Sequence, residues 1–115
     1  MCVRDILSDP NALEILKTFL QKYSSGGDKA LIKLYIELYE KCKEYLNHSN
    51  GISKEQFEEL VDLGLPYEIE YGKLDMITKG DTKDCIQLIM DQLIKNIEIQ
   101  KEYDQFRRQL AQDIN

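Results

Sequence analysis

Residues 52–57, Ile-Ser-Lys-Glu-Gln-Phe, mark a helix start almost to the residue. Ser53 and Gln56 have the S-x-x-Q spacing of a capping box. In that motif the serine hydroxyl and the glutamine amide each satisfy a backbone N–H that a first helical turn leaves open, and Ile52 and Phe57 flank it as a hydrophobic staple. The helix runs from Ser53 to Leu63, with Gly64 as its left-handed C′ residue and Pro66 as a stop. With one helix fixed, the segments on either side separate into helices of their own, and the chain reads as all-α.

Before that helix, Val3 to Leu7 is a short apolar start, and Asp9-Pro10 has the form of an N-cap followed by proline at the first helical position. Leu13, Leu16, Phe19, Leu20 and Tyr23 then recur at three and four residues, which puts them on one stripe. Ser24-Ser25-Gly26-Gly27 ends this helix, and Asp28 caps the next, which runs to about Leu46. Leu31, Ile32, Leu34, Tyr35, Ile36, Leu38, Tyr39, Cys42 and Tyr45 cover more than a single stripe, so this helix is the spine of the core. Asn47 to Gly51 reads as a loop.

After Pro66 the pattern weakens. Tyr67, Ile69 and Tyr71 alternate as a short extended piece would, Leu74 to Thr78 fits one helical turn, and Lys79-Gly80 breaks it. Asp81 caps another helix, with Ile86, Ile89, Met90, Leu93 and Ile97 inward. A last helix carries Tyr103, Phe106 and Leu110. Gln100 to Glu102 is either the join between these two helices or a straight continuation. The predicted architecture is a single domain: a compact bundle of about seven to nine short helices, in two sub-bundles.

Bulk properties narrow the function classes. A charged fraction of 31% beside 43% hydrophobic residues is globular composition. The net charge of −6 argues against nucleic acid, because phosphate binding needs a positive patch and Arg107-Arg108 is too small to supply one. No apolar run approaches the ~20 residues of a membrane span, and Met-Cys-Val-Arg-Asp has no signal-peptide core. Cys2, Cys42 and Cys85 are an odd, widely spaced set that fits neither a disulfide framework nor a metal motif, which predicts reduced thiols in a cytoplasmic protein. No cofactor is implied.

No catalytic constellation stands out. His48, the one histidine, sits among Asn47 and Ser49 with neither an orienting partner nor a nucleophile nearby. Cys42 and Cys85 fall at apolar helical positions and read as packing residues. Cys2 is near a chain end, with Arg4 as its nearest cation. Glu58, Glu59, Asp62, Glu68 and Glu70 gather around Leu65-Pro66 without the glycine turn of a calcium loop. They read as a solvated face or as a contact for a basic partner. Of the seven tyrosines, Tyr35, Tyr39 and Tyr45 suit half-buried positions at the core edge, whereas Tyr67 and Tyr71 would suggest an interface if exposed.

The order of helices and breaks resembles the homology domain of the regulators of G-protein signalling (RGS). Ile6-Leu7-Ser8-Asp9-Pro10 followed by Phe19-Leu20 is similar to that family's opening. Leu34-Tyr35 stands where its central helix has Phe-Trp. Leu65-Pro66-Tyr67-Glu68-Ile69-Glu70 resembles its Ala-Pro-x-Glu-Ile-Asn loop, and Cys85 to Arg108, with Tyr103-Asp104-Gln105-Phe106, resembles its closing helix pair. The resemblance covers nearly the whole chain. It implies a domain that binds a G-protein α subunit (Gα) and clamps its switch loops, so that the hydrolytic chemistry belongs to Gα.

Carried onto this chain, the contact residues are Ser25, Gly26, Gly27 and Asp28 in the first loop, and Leu65, Pro66, Tyr67, Glu68 and Glu70 in the second. Ile97, Lys101, Glu102 and Gln105 supply the third. The family's central asparagines are missing: the first loop lacks its Glu-Asn pair, and Glu70 replaces the second. An asparagine donates and accepts, whereas an ionised glutamate only accepts. Lys101 stands where the family is acidic, and Gln105 where it has arginine. The resemblance therefore implies a docking module for Gα or another signalling protein, as in axin, sorting nexins and some kinase-anchoring proteins, with little or no GTPase acceleration. Two other readings stand beside it. One is an active GTPase-activating domain with non-standard contacts. The other is an unrelated all-α adaptor or immunity-type protein that meets a basic partner through its acidic face.

Overall fold

The computed structural model describes residues 2–23 and 31–114, and among them the chain is all-helical. Eight helices follow in order: α1 (Val3–Ser8), α2 (Pro10–Tyr23), α3 (Leu31–Ser49), α4 (Lys54–Leu63), α5 (Tyr67–Glu70), α6 (Lys73–Thr78), α7 (Thr82–Glu98) and α8 (Lys101–Ile114). The helices fall into two compact units, residues 1–36 with 94–115 and residues 37–93, so that the division lies within α3 and within α7.

In the first unit, the Asp9 carboxylate accepts from the Asn11 N–H at 3.0 Å and its carbonyl from the Leu13 N–H at 2.9 Å. Asp9 is thus a working N-cap, with Pro10 at the position whose missing N–H costs nothing. α1 and α8 both contact α2. Leu16, Phe19 and Leu20 are buried as their spacing predicts, and the Phe19 and Phe106 rings meet edge-to-face at 5.4 Å. Leu13 and Leu110 are only half-buried. Gln100 is the join between α7 and α8: its N–H donates to the Ile97 carbonyl while its own carbonyl accepts from Tyr103 and Asp104. Leu31, expected in the spine, is 56% exposed, whereas Ile32, Tyr35 and Ile36 are buried.

In the second unit, the capping box is complete. The Ser53 hydroxyl accepts from the Gln56 N–H at 3.2 Å, and the Gln56 carboxamide accepts from the Ser53 N–H at 3.0 Å. Ser53→Ala removes this cap, and urea denaturation is expected to show a loss of ~1 kcal/mol. At the other end, Gly64 adopts φ 117° and its N–H donates to the Val61 carbonyl, while the Leu65 N–H donates to the Leu60 carbonyl at 3.0 Å. This is a Schellman motif, and Leu60 and Leu65, the two positions that such a motif brings together, are both buried.

Three expectations are corrected here. α3 does not stop at Leu46: Asn47, His48 and Ser49 are helical and exposed, and the loop is only Asn50 to Ser53. The Ser49 hydroxyl donates to the Tyr45 carbonyl at 3.1 Å, and Asn50, at φ 61°, makes the left-handed exit. Gly51 then passes so close to α7 that a Cβ there would lie 2.7 Å from Thr82 Oγ1. Second, Pro66 follows the end of α4 as expected, but it also opens the next helix. Its carbonyl accepts from the Ile69 and Glu70 N–H groups at 3.0 and 2.9 Å, so Tyr67 to Glu70 is a helical turn and no extended piece. Proline's fixed φ suits the entry, and Gly72 at φ 79° provides the exit.

Third, Tyr35, Tyr39 and Tyr45 are buried and do not sit half-exposed at a core edge. The Tyr45 hydroxyl meets its hydrogen-bonding need inside the protein by donating to Glu59 Oε2 at 3.1 Å. The predicted turn at Leu74 to Thr78 is present as α6, closed by Gly80 at φ 90°. The Asp81 carbonyl opens α7 by accepting from the Cys85 N–H at 2.9 Å. Ile86, Ile89, Met90, Leu93 and Ile97 are all buried along α7.

Candidate docking surface on helix α5

The sequence between the Schellman motif and Gly72 has only six residues in which to reverse direction, and its apolar positions decide what each side chain does. Leu65 is buried just past the end of α4, and Ile69 is buried at 2% exposure. With these two anchored, the helical turn projects the residues between and after them outward. Tyr67 and Tyr71, four residues apart, are 69% and 72% exposed, with ring centroids 6.2 Å apart and planes tilted by 57°. The Tyr71 N–H donates to the Tyr67 carbonyl at 2.9 Å, which ties the two positions through the backbone. Glu68 is exposed and Glu70 half-buried on the same turn, and α5 contacts α6, which contacts α4. A tyrosine pair held on a short, doubly anchored turn is a low-entropy contact surface, since each ring has few rotatable bonds to freeze on binding.

The residues singled out from the sequence are distributed as follows. Ser25, Gly26, Gly27 and Asp28, and with them the cap expected at Asp28, lie outside the described residues. Pro66, Tyr67, Glu68 and Glu70 share the α5 turn, but Leu65 is turned inward. Lys101 and Gln105 are exposed on α8 and Glu102 is half-buried, whereas Ile97 is fully buried in α7 and presents no side-chain surface. Tyr71 completes the turn's exposed pair. With Tyr67 it meets the condition of exposure under which the sequence pointed to an interface, and its helical spacing of four residues sets the two rings side by side.

Elsewhere the chemistry is that of packing. Cys42 and Cys85 are buried, free thiols. Burial first, and the neighbouring Cys85 second, push the Cys42 thiol up to about 12, and burial also raises Cys85, whose thiol donates to the Lys73 carbonyl at 3.7 Å. Both stay protonated and inert at neutral pH. The exposed Cys2 donates to the Asp5 carboxylate at 3.2 Å. Burial likewise raises the hydroxyl of Tyr103, which has no hydrogen-bond partner and lies beneath Arg107, 6.0 Å from the ring. A groove of about 330 Å³ between α2 and α8 is lined by Ile15, Phe19, Phe106 and Leu110, with Glu14 and Lys22 at its rim, and contains no histidine or cysteine.

Among the described residues no group of three or more histidine, cysteine or acidic side chains is placed to hold a metal, and no helix is long and apolar enough to cross a membrane. No protein-family model, curated protein or solved structure matches this chain.

Proposed function

We propose that this protein is an interaction module that docks a signalling partner through the α5 turn and supplies no catalytic group of its own. The observation that carries this reading is the Tyr67–Tyr71 pair, more than two-thirds exposed on a turn whose Leu65 and Ile69 are buried. Folding gains nothing from leaving two large rings in water, whereas aromatic side chains on an exposed, well-anchored element are what an interface core uses. Under this reading the module works in the cytoplasm with its thiols reduced, and reaches a membrane surface only through its partner.

Gα is the first partner to test, because the RGS resemblance places its second contact loop on this same turn. Glu70 in place of the family's asparagine removes a donor from that contact, which favours docking over GTPase acceleration. The test is a pull-down against a panel of Gα subunits, each with GDP alone and with GDP plus aluminium fluoride, paired with single-turnover GTP hydrolysis. The docking reading expects binding without faster hydrolysis. Binding confined to the fluoride form, with faster hydrolysis, would establish the activating reading instead. Binding to neither form would move the partner outside the G proteins.

A further inference from the structure

We propose that the group seated on the Tyr67–Tyr71 pair is a lysine or arginine side chain from a basic segment of a protein partner. This rests on the reading of α5 as a docking face. A cation interacts with an aromatic face when it lies within about 6 Å of the ring centroid. The two centroids are 6.2 Å apart, so one cationic group reaches both rings at once. The same turn carries Glu68 and Glu70, and among the described residues neither is engaged in an ion pair. An anionic segment arriving at the rings would be repelled by both carboxylates. A purely apolar segment would strip water from them without giving a hydrogen bond in return. A basic segment meets the rings with one cation and the carboxylates with its neighbours, and the net charge of −6 steers it inward from a distance. The rings form an open shelf and not a closed cage, so a small quaternary ammonium gains the ring faces alone, while a peptide gains the ring faces and the flanking charges.

The experiment uses the full chain labelled with fluorotyrosine, with its seven tyrosine signals assigned by single Tyr→Phe variants and followed by fluorine NMR. An acetylated, amidated hexa-arginine peptide is titrated in, with a hexa-glutamate peptide and choline as parallel titrants. The expected result is saturable movement of the Tyr67 and Tyr71 signals by hexa-arginine, weakening as salt is raised, with roughly tenfold loss of affinity in Tyr67→Ala/Tyr71→Ala. No hexa-arginine binding up to about 1 mM overturns the inference while leaving the docking reading to the Gα experiment. Choline moving the same signals at equal affinity also overturns it, in favour of a small-cation site. Hexa-arginine binding that moves other tyrosines and leaves these two still overturns the inference, and likewise leaves the docking reading to the Gα experiment.

Discussion

Ile69→Ala is expected to destabilise the protein by ~2–5 kcal/mol, the range for deleting a buried branched side chain that leaves a cavity. Ile69 is 2% exposed and is the apolar anchor within α5 itself. The four-residue helix has no length from which to draw stability of its own, and helices this short persist only through tertiary packing. The substitution is therefore expected to do two things together. The urea midpoint falls, and the amides of Glu70 and Tyr71, which bond back to Pro66 and Tyr67, lose hydrogen-exchange protection before the rest of the unit does. Protection retained at these amides would mean that the turn is held by something other than Ile69.

Raising the pH from 8 to 11 is expected to weaken the fold steeply. Cys42 is fully buried, and its thiol is shifted from its ordinary value near 9 to about 12. A raised pKa on a neutral acid means that the unfolded chain gives up the proton first. The stabilisation is complete below pH 9, declines as the unfolded thiol ionises, and is exhausted as pH passes the folded value. At pH 11 Cys42 alone accounts for a loss of about 2–3 kcal/mol. Tyr45, raised by burial and by donating its proton to Glu59, and Cys85 and Tyr103, raised mainly by burial, act in the same direction. Urea titrations at the two pH values should show the fall in the parent, and Cys42→Ala should make it visibly shallower whatever that variant's stability at pH 8.

What was legible in the sequence was the chemistry that neighbouring residues perform on one another. The capping box at Ser53 and Gln56, the Asp9 cap before Pro10, and the glycine exit at Gly64 each join a side chain or a backbone freedom to groups a few residues away, so the spacing alone reveals them. The inward face of α7, through Ile86, Ile89, Met90, Leu93 and Ile97, was equally legible because helical periodicity is a property of the chain. Ile97 shows where two arguments parted: periodicity put it in the core, the resemblance put it at a partner contact, and it is fully buried.

Long-range consequences were the part that was hidden. Nothing local announces that Leu65 is buried, or that Pro66 opens a helix whose Ile69 is buried. Alternation at Tyr67, Ile69 and Tyr71 fits a strand equally well, and only the anchoring of Ile69 decides for a helical turn. At the end of α3, polar Asn47, His48 and Ser49 looked like a loop because composition cannot separate a loop from the solvated last turn of a helix. The Ser49 hydroxyl bonding back to Tyr45, beside a buried ring, settles it. For the candidate site the same limit applied: its residues lay in the right segment, but which of them face water depended on packing.

Tyr67→Ala with Tyr71→Ala is the substitution that separates docking from folding, since both rings are exposed and surface changes of this kind leave stability within ±0.5 kcal/mol. The decisive measurement is one calorimetric series in which the parent and this double variant are each titrated with Gα·GDP, with Gα·GDP plus aluminium fluoride, and with hexa-arginine. Every ligand the parent binds is expected to be bound roughly tenfold or more weakly by the variant, at an unchanged urea midpoint. Equal affinity of parent and variant for those ligands would contradict this expectation and remove α5 as the docking face.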